Sequence, residues 1–287
     1  MNRAVVIAHF HSGGLIQANL RALMQALRVL PARIVFVSTS ASREALGTLP
    51  AGVQAIVRPN IGYDFESYRI GIATLGDLAA FDELVLLNSS LVYVDARKLC
   101  ERFLMAPRPD ADIFGLTGSR ELVPHLQSFL VAFSKRVLAS TAFAAWWDSL
   151  DPVNDRDEVI GRYEIGMSAH FARHGFRLAA AFHPTRAHQF RALCRHFEAS
   201  GEVPPITADG KVTLDVNAAD ALNPTHFLWD AILEEFGVIK ADLLRQNPYS
   251  LDLRRVSRML LLDPAFRDLV ADVLAEPAPA RPPTPAP

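Results

Sequence analysis

Hydrophobic positions come in two rhythms over the first half of the chain. Ala4 to Phe10, Arg33 to Thr39, Val53 to Pro59 and Glu83 to Asn88 are nearly continuous runs of Val, Ile and Leu, the pattern of strands buried on both faces. Between them, Leu15 to Val29, Phe65 to Leu75 and Ala96 to Met105 carry apolar residues at helical spacing. Repeated strand-then-helix order predicts an open, mostly parallel, Rossmann-like α/β sheet with flanking helices. Asp112 to Thr117 is a fifth strand candidate after the break at Pro107-Arg108-Pro109.

The rhythm loosens after Gly118. His125 to Phe133 reads as one strand, Ser140 to Leu150 and Val159 to His174 as helices, and Arg177 to Phe182 as a strand. Asn223 to Phe236 reads as a helix entered through Pro224, a residue suited to the first helical position. Glu198 to Ala218 has the polar, Gly- and Pro-containing composition of an excursion or lid. Residues 1–275 are expected to form one domain, with a nucleotide-binding half over 1–118 and an acceptor half over 119–275. The Ala/Pro segment 276–287 is expected to be a disordered tail.

Composition narrows the partners. A chain of 287 residues with 50% hydrophobic content has enough apolar material for a sizeable core. A net charge of -2 and a pI near 6.5 give no field to concentrate nucleic acid, so none is expected as a partner. Cys100 and Cys194 lie far apart inside helix-like segments and suit reduced core thiols, which fits a cytoplasmic setting. Met1-Asn2-Arg3 runs straight into a strand with no cleavage-site pattern, so no secretory signal is expected. Polar residues interrupt the apolar stretches before they reach the roughly 18 residues of a spanning helix, leaving peripheral membrane contact at most.

Candidate chemistry gathers where the early strands end, because open α/β sheets bind ligands beyond their carboxyl edges. At Asn60-Ile61-Gly62-Tyr63-Asp64, Gly62 can take a positive φ and Asp64 can cap the helix behind it; an ordinary capped turn is the plain alternative. His9-Phe10-His11-Ser12-Gly13-Gly14 and Ser38-Thr39-Ser40 occupy equivalent positions.

Taken in order, Asn60 to Asp64, Glu83 to Ser90, Asp112 to Thr117, His125 to Phe129, Tyr163-Glu164-Ile165-Gly166 and Asn223-Pro224-Thr225 resemble the rhamnan synthesis protein F family, glycosyltransferase-like proteins of bacterial surface polysaccharide assembly. Val238-Ile239-Lys240 and Asn247-Pro248 extend the resemblance over most of the chain. It implies a GT-A-like fold that moves a sugar, such as rhamnose or another deoxyhexose, from a nucleotide-sugar donor to a growing glycan. The acceptor would be a saccharide or a lipid-linked saccharide, met in the cytoplasm or at the inner face of the membrane.

On that resemblance, His9, His11, Gly13, Ser38, Asn60, Gly62, Asp64, Asn88 and Ser90 are the expected donor-binding residues. A divalent metal such as Mg or Mn is expected on the donor diphosphate in such folds, but Ser89 stands where the family leads one to expect an acid. Asp95 could contribute if the turn folds back. His125 and Gln127 would lie on one strand face and orient the reacting sugars. Glu164, a lone acid in an apolar helix, is the expected general base, with Asp157 and Glu158 as rivals whose plain role is at a helix start.

Arg186, Arg191 and Arg195 with His188 and His196 could grip an anion or form a solvated helix face, and Trp146, Trp147 and Trp229 could stack on sugars or fill the core. Two competing functions stand beside the transferase. One is a non-catalytic carbohydrate- or nucleotide-binding relative in a polysaccharide-assembly complex, favoured by Ser89. The other is a barrel-type metal-dependent hydrolase with zinc on His9 and His11.

Overall fold

The computed structural model describes residues 1–108 and 110–277. The strands are β1 (Arg3–His9), β2 (Ala32–Ser38), β3 (Val53–Val57), β4 (Glu83–Asn88), β5 (Leu91–Tyr93), β6 (Ile113–Gly115), β7 (Gly118–Ser119), β8 (His125–Leu126), β9 (Leu130–Ser134), β10 (Leu178–Ala180) and β11 (Val238–Lys240). Seven of them form one sheet in the order β10-β6-β9-β4-β1-β2-β3. β9 runs antiparallel to β4 and β6, and the other pairings are parallel. This is the expected open, mostly parallel sheet with flanking helices, and it draws strands from both expected halves of the chain. A closed barrel is excluded, and with it the basis of the hydrolase reading.

Strand alternation divides the core. Val5 and Ile7 face one side of the sheet in a core shared with Leu20 and Leu23 of the helix Ala18–Leu27, against which the C-terminal helix with Phe266 and Val270 packs. Ala4, Val6 and Ala8 face the other, beneath Phe65, Tyr68 and Ile72 of the helix Tyr63–Ala73. Small side chains there let this helix lie close: a Cβ on Gly71 would stand 2.3 Å from the Val6 side chain. Trp146, Trp147 and Trp229 are all buried in these two cores, the plain reading of the aromatics.

Several local expectations are corrected. His125 to Phe133 is two strands broken by a turn at Ser128-Phe129, because the polar Gln127 and Ser128 leave the ladder for side-chain partners. His125 and Gln127 therefore share no strand face. Asn223 to Phe236 is two helices, Pro224–Phe227 and Trp229–Phe236, with Asn223 capping the first. The basic stretch forms a long helix, Arg186–Ser200, whose Arg191 and Arg195 pair with Asp230. Cys100 and Cys194 are free thiols.

Two C-terminal helices, Arg254–Leu262 and Pro264–Ala275, were not anticipated by the sequence reading. Of the expected 276–287 tail, 278–287 lies outside the described residues, as does Pro109. Glu276, at the start of that segment, is buried against Arg245 and the Ser12 amide.

Candidate functional site

Five segments converge at the carboxyl end of the sheet. The turn after β3 is built by Arg58, whose guanidinium donates to the carbonyls of Pro59, Ile61 and Tyr63 and to Ser67 Oγ. Burial lowers the Arg58 pKa, which Glu66 and Asp64 oppose. Inside this turn Gly62 adopts φ +78, and a Cβ there would meet Glu66 at 2.8 Å and Pro152 at 3.2 Å. Gly62 itself is the helix N-cap, so Asp64 does not cap as expected. Its carboxylate instead accepts from Asn88 Nδ2 at 2.6 Å across the gap to β4.

Asn88 ends β4, and its Oδ1 accepts from the amide and hydroxyl of Ser90 at 3.0 and 2.6 Å. Next to it, Tyr68 donates to the Ser128 carbonyl at 3.2 Å and Tyr93 to the Asn88 carbonyl at 2.7 Å. Burial and the Asp64 charge raise both phenol pKa values, so these groups remain donors. Burial also pushes the Asp64 carboxyl up to about 6, with Glu164 adding to the rise and Asn88, Lys240 and Arg58 opposing it.

Glu164 lies on a π-helical turn, Ile160–Ile165, between two α-helical pieces. One carboxylate oxygen accepts from the Ser128 amide at 2.8 Å and from its hydroxyl at 2.5 Å; the other lies 3.6 Å from His125 Nε2. Burial alone would raise its pKa, but His125, Ser128 and the Lys240 charge outweigh it and bring the pKa below the usual value. Burial likewise disfavours charge on His125, yet the nearby Glu164 carboxylate and the bond to the Val123 carbonyl raise its pKa. Arg162, two residues before Glu164, pairs with Glu158 and Asp151 and not with Glu164.

Lys240 completes the cluster and was missed as a site residue. β11 pairs with β5 immediately after Ser90, setting Lys240 opposite Leu91, and its Nζ lies 3.1 Å from Ser90 Oγ. A lone lysine ending the apolar run Val238-Ile239 was the available signal, but three-residue strands joined across the chain leave no local pattern.

Other expected site residues lie elsewhere. His9 is 1% exposed, with Nδ1 bonded to Ser38 Oγ at 2.9 Å and Nε2 to Gln17 at 3.1 Å, leaving neither nitrogen for a metal. Ser38 Oγ also accepts from the Ser40 and Ala41 amides. His11 accepts from the Gly13 amide and reaches the Asp272 carbonyl, so the C-terminal helix covers this loop. Gln127 is buried, accepting from Thr117 Oγ1 and donating toward Asn223, away from Glu164. Asn60 is exposed on the turn, and Asp157 and Glu158 sit on an exposed first helical turn.

One carboxylate, Asp64, is bonded to the end of β4, too few for an all-protein metal cage. Asn88, Ser89 and Ser90 are neutral, Asp95 caps the helix Ala96–Leu99, and no three His, Cys, Asp or Glu side chains group to hold an ion among the described residues. A cavity of about 730 Å³ opens beside His125, between the helices Gly166–Arg173 and Arg186–Ser200 along β10; Leu126, Phe182 and Phe227 give it apolar walls, with Arg120 and Asp220 among its polar lining. No helix among the described residues is long and apolar enough to cross a membrane.

Comparison with known proteins agrees with this picture at the level of family. An uncharacterized protein of Sinorhizobium fredii, y4gN, is 30% identical over 133 residues, covering 45% of this chain and 35% of that protein. Virulence protein VirA of Vibrio anguillarum is 27% identical over 199 residues, covering 67% and 62% respectively. The chain thus spans only part of the length of these curated relatives.

Among solved structures, mannosyltransferase PcManGT from Pyrobaculum calidifontis in complex with GDP-Man and Mn2+ is 12% identical with a TM-score of 0.38, over 95% of this chain and 85% of that one. Glycosyltransferase GlyE of Streptococcus pneumoniae is 14% identical with a TM-score of 0.38, over 82% and 63%. Both likenesses are too slight to assign chemistry. The model of Rhamnan synthesis protein F matches residues 34–203, more than half of the chain, and the protein belongs to that family.

Proposed function

We propose that the protein is a glycosyltransferase that moves a sugar from a nucleotide-sugar donor to a saccharide hydroxyl. The observation that carries this reading is the Glu164 carboxylate. It already accepts a hydroxyl hydrogen bond from Ser128 at the carboxyl edge of the sheet, with Asp64, Asn88 and Ser90 on the neighbouring strand ends. An acceptor hydroxyl that takes the place of Ser128 Oγ gives its proton to Glu164. The acceptor oxygen then bonds to the anomeric carbon as the sugar's bond to the diphosphate breaks, and that electron pair leaves with the nucleotide.

The lowered pKa of Glu164 keeps it ionised, as a proton acceptor must be, but also makes it a weak base. An acceptor hydroxyl in the place of Ser128 Oγ donates the same hydrogen bond, so the carboxylate stays ionised until the proton is transferred. His125 holds the other carboxylate oxygen and acts as a positioning residue. The cavity beside His125 suits the acceptor, since its apolar walls and polar lining match a saccharide on a lipid carrier. Family membership supports a deoxyhexose donor, a bacterial surface glycan as product, and work at the inner face of the membrane.

The test is transfer from a panel of nucleotide sugars to saccharide acceptors by wild type and Glu164→Gln. Transfer by wild type and its loss in a folded variant support the reading; undiminished transfer by the variant sinks the base assignment. The neutral Asn88-Ser89-Ser90 segment favours a second reading, a binding relative without turnover. Nucleotide-sugar binding with neither transfer nor slow hydrolysis would select it.

A further inference from the structure

Lys240 sits among acids without being fixed to any of them. Its ammonium donates to Ser90 Oγ at 3.1 Å and lies 4.5 Å from the centroid of the Phe129 ring. An ammonium has three N–H donors, so the Ser90 contact leaves capacity for a ligand. Lys240 is also only partly buried, whereas the nearby Arg58 is spent on the carbonyls of Pro59, Ile61 and Tyr63.

The surrounding charge makes a cation necessary for any anionic ligand. Asp64, Glu164 and Asp242 all feel the Lys240 charge, and each would repel a diphosphate. A divalent metal would ordinarily bridge that conflict, but Asn88, Ser89 and Ser90 are neutral, Asp95 is spent as a helix cap, and Asp64 alone offers a carboxylate to the end of β4. β11 delivers Lys240 to the same place: its pairing with β5 is pinned by the Ala241 amide on the Ser90 carbonyl at 2.9 Å, so the ammonium is held beside the end of β4 by backbone.

Resting on the transferase reading, we infer that Lys240 binds the diphosphate of the nucleotide donor directly and fills the electrostatic role of a divalent metal in this site. Its charge draws the phosphates past Asp64 and Glu164. As the sugar departs it faces the negative charge that develops on the leaving phosphate. Ser90 and the Phe129 ring keep the ammonium aimed along the strand end before any ligand arrives.

The experiment is calorimetric titration of nucleoside diphosphates and their matching nucleosides, in chelator, into wild type, Lys240→Met and Lys240→Arg, with melting curves as the folding control. Wild type is expected to bind a nucleoside diphosphate without metal. Lys240→Met should weaken it by tenfold or more while sparing the nucleoside, and Lys240→Arg should stay within a few-fold of wild type. Lys240→Gln stands in if the Met variant does not fold. Equal diphosphate affinity in wild type and Lys240→Met overturns the inference and spares the transferase reading. So does wild-type binding that chelator abolishes and manganese restores. A wild type that binds no nucleoside diphosphate with or without manganese removes both.

Discussion

Two loops at the same edge of the sheet hold similar residues and have opposite character. After β1, His9, His11, Ser12 and Ser38 are closed in by their own chain: His9 by Gln17 and Ser38, His11 by Asp272, and the Ser12 amide by Glu276. After β3 and β4, Asp64, Asn88, Ser90 and Lys240 form a bonded chain beside Glu164, which Ser128 holds, and Asp64, Ser90, Glu164 and Lys240 keep partial exposure. Polar side chains at strand ends therefore do not mark a site by themselves. What separates the two loops is whether other segments have already satisfied them: Gln17 and Ser38 do so for His9, and the C-terminal helix Pro264–Ala275 with Glu276 does so for His11 and the Ser12 amide.

The sharpest way to break this contrast is turnover. Glu164→Gln keeps the volume and the bonds from Ser128 but cannot take a proton, so transfer should fall about a hundredfold or more with nucleotide affinity unchanged. His9→Asn, in the closed loop, should leave turnover in the folded enzyme within a few-fold of wild type. Transfer rates that fall equally in both variants would erase the distinction between the loops.

Stability against pH should show the same contrast with opposite signs. Burial holds the His9 imidazole at about 4, below its ordinary 6.5. The unfolded chain then binds the extra proton between those values, so stability falls as pH drops from about 6.5 to about 4, by on the order of 3 kcal/mol. His9→Asn should flatten that slope in denaturant titrations across the range. Asp64 runs the other way. Its carboxyl is raised to about 6, so the folded state binds the proton more tightly and stability is lost as pH rises from about 4 through 6. Asp64→Asn should therefore stabilise the protein at pH 7.5 by roughly 3 kcal/mol, less near pH 4, while weakening nucleotide binding. A destabilised Asp64→Asn at pH 7.5 would show that Asp64 belongs with the satisfied loop.

How far the contrast could be read from sequence depends on the length of each element. β1, β2 and β4 were legible because each is a long apolar run whose burial needs no partner to be guessed, whereas β3 forms as expected but at the sheet edge, with intermediate and exposed residues instead of burial on both faces. Glu164 was legible as a lone acid among apolar neighbours, and Asp64 and Asn88 from their places at strand ends. The break at Ser128-Phe129 was not, since Phe129 continues the apolar run into β9 and conceals the turn. Nor was the closure of the β1 loop. His11 meets Asp272 across most of the chain, and no local pattern in 254–275 states which loop that helical pair will cover.

The smallest expected effect tests the edge of the cluster. Asp157 and Glu158 precede Glu164 on the same helical segment, and sequence proximity made them rival bases. They lie in an exposed first turn capped by Asp155, where their charge suits the helix dipole and Glu158 pairs with Arg162 at 2.8 Å. Exposed pairs and first-turn acids contribute only about 0.3 to 1 kcal/mol each, so Asp157→Asn and Glu158→Gln should shift melting by a degree or two and leave turnover alone. The asymmetry has a cause in the helix itself: the π-helical turn Ile160–Ile165 turns Glu164 inward toward Ser128 while leaving the two preceding acids in solvent. A large loss of transfer in either variant, with Glu164→Gln active, would move the base one helical turn outward and detach it from Ser128 and His125.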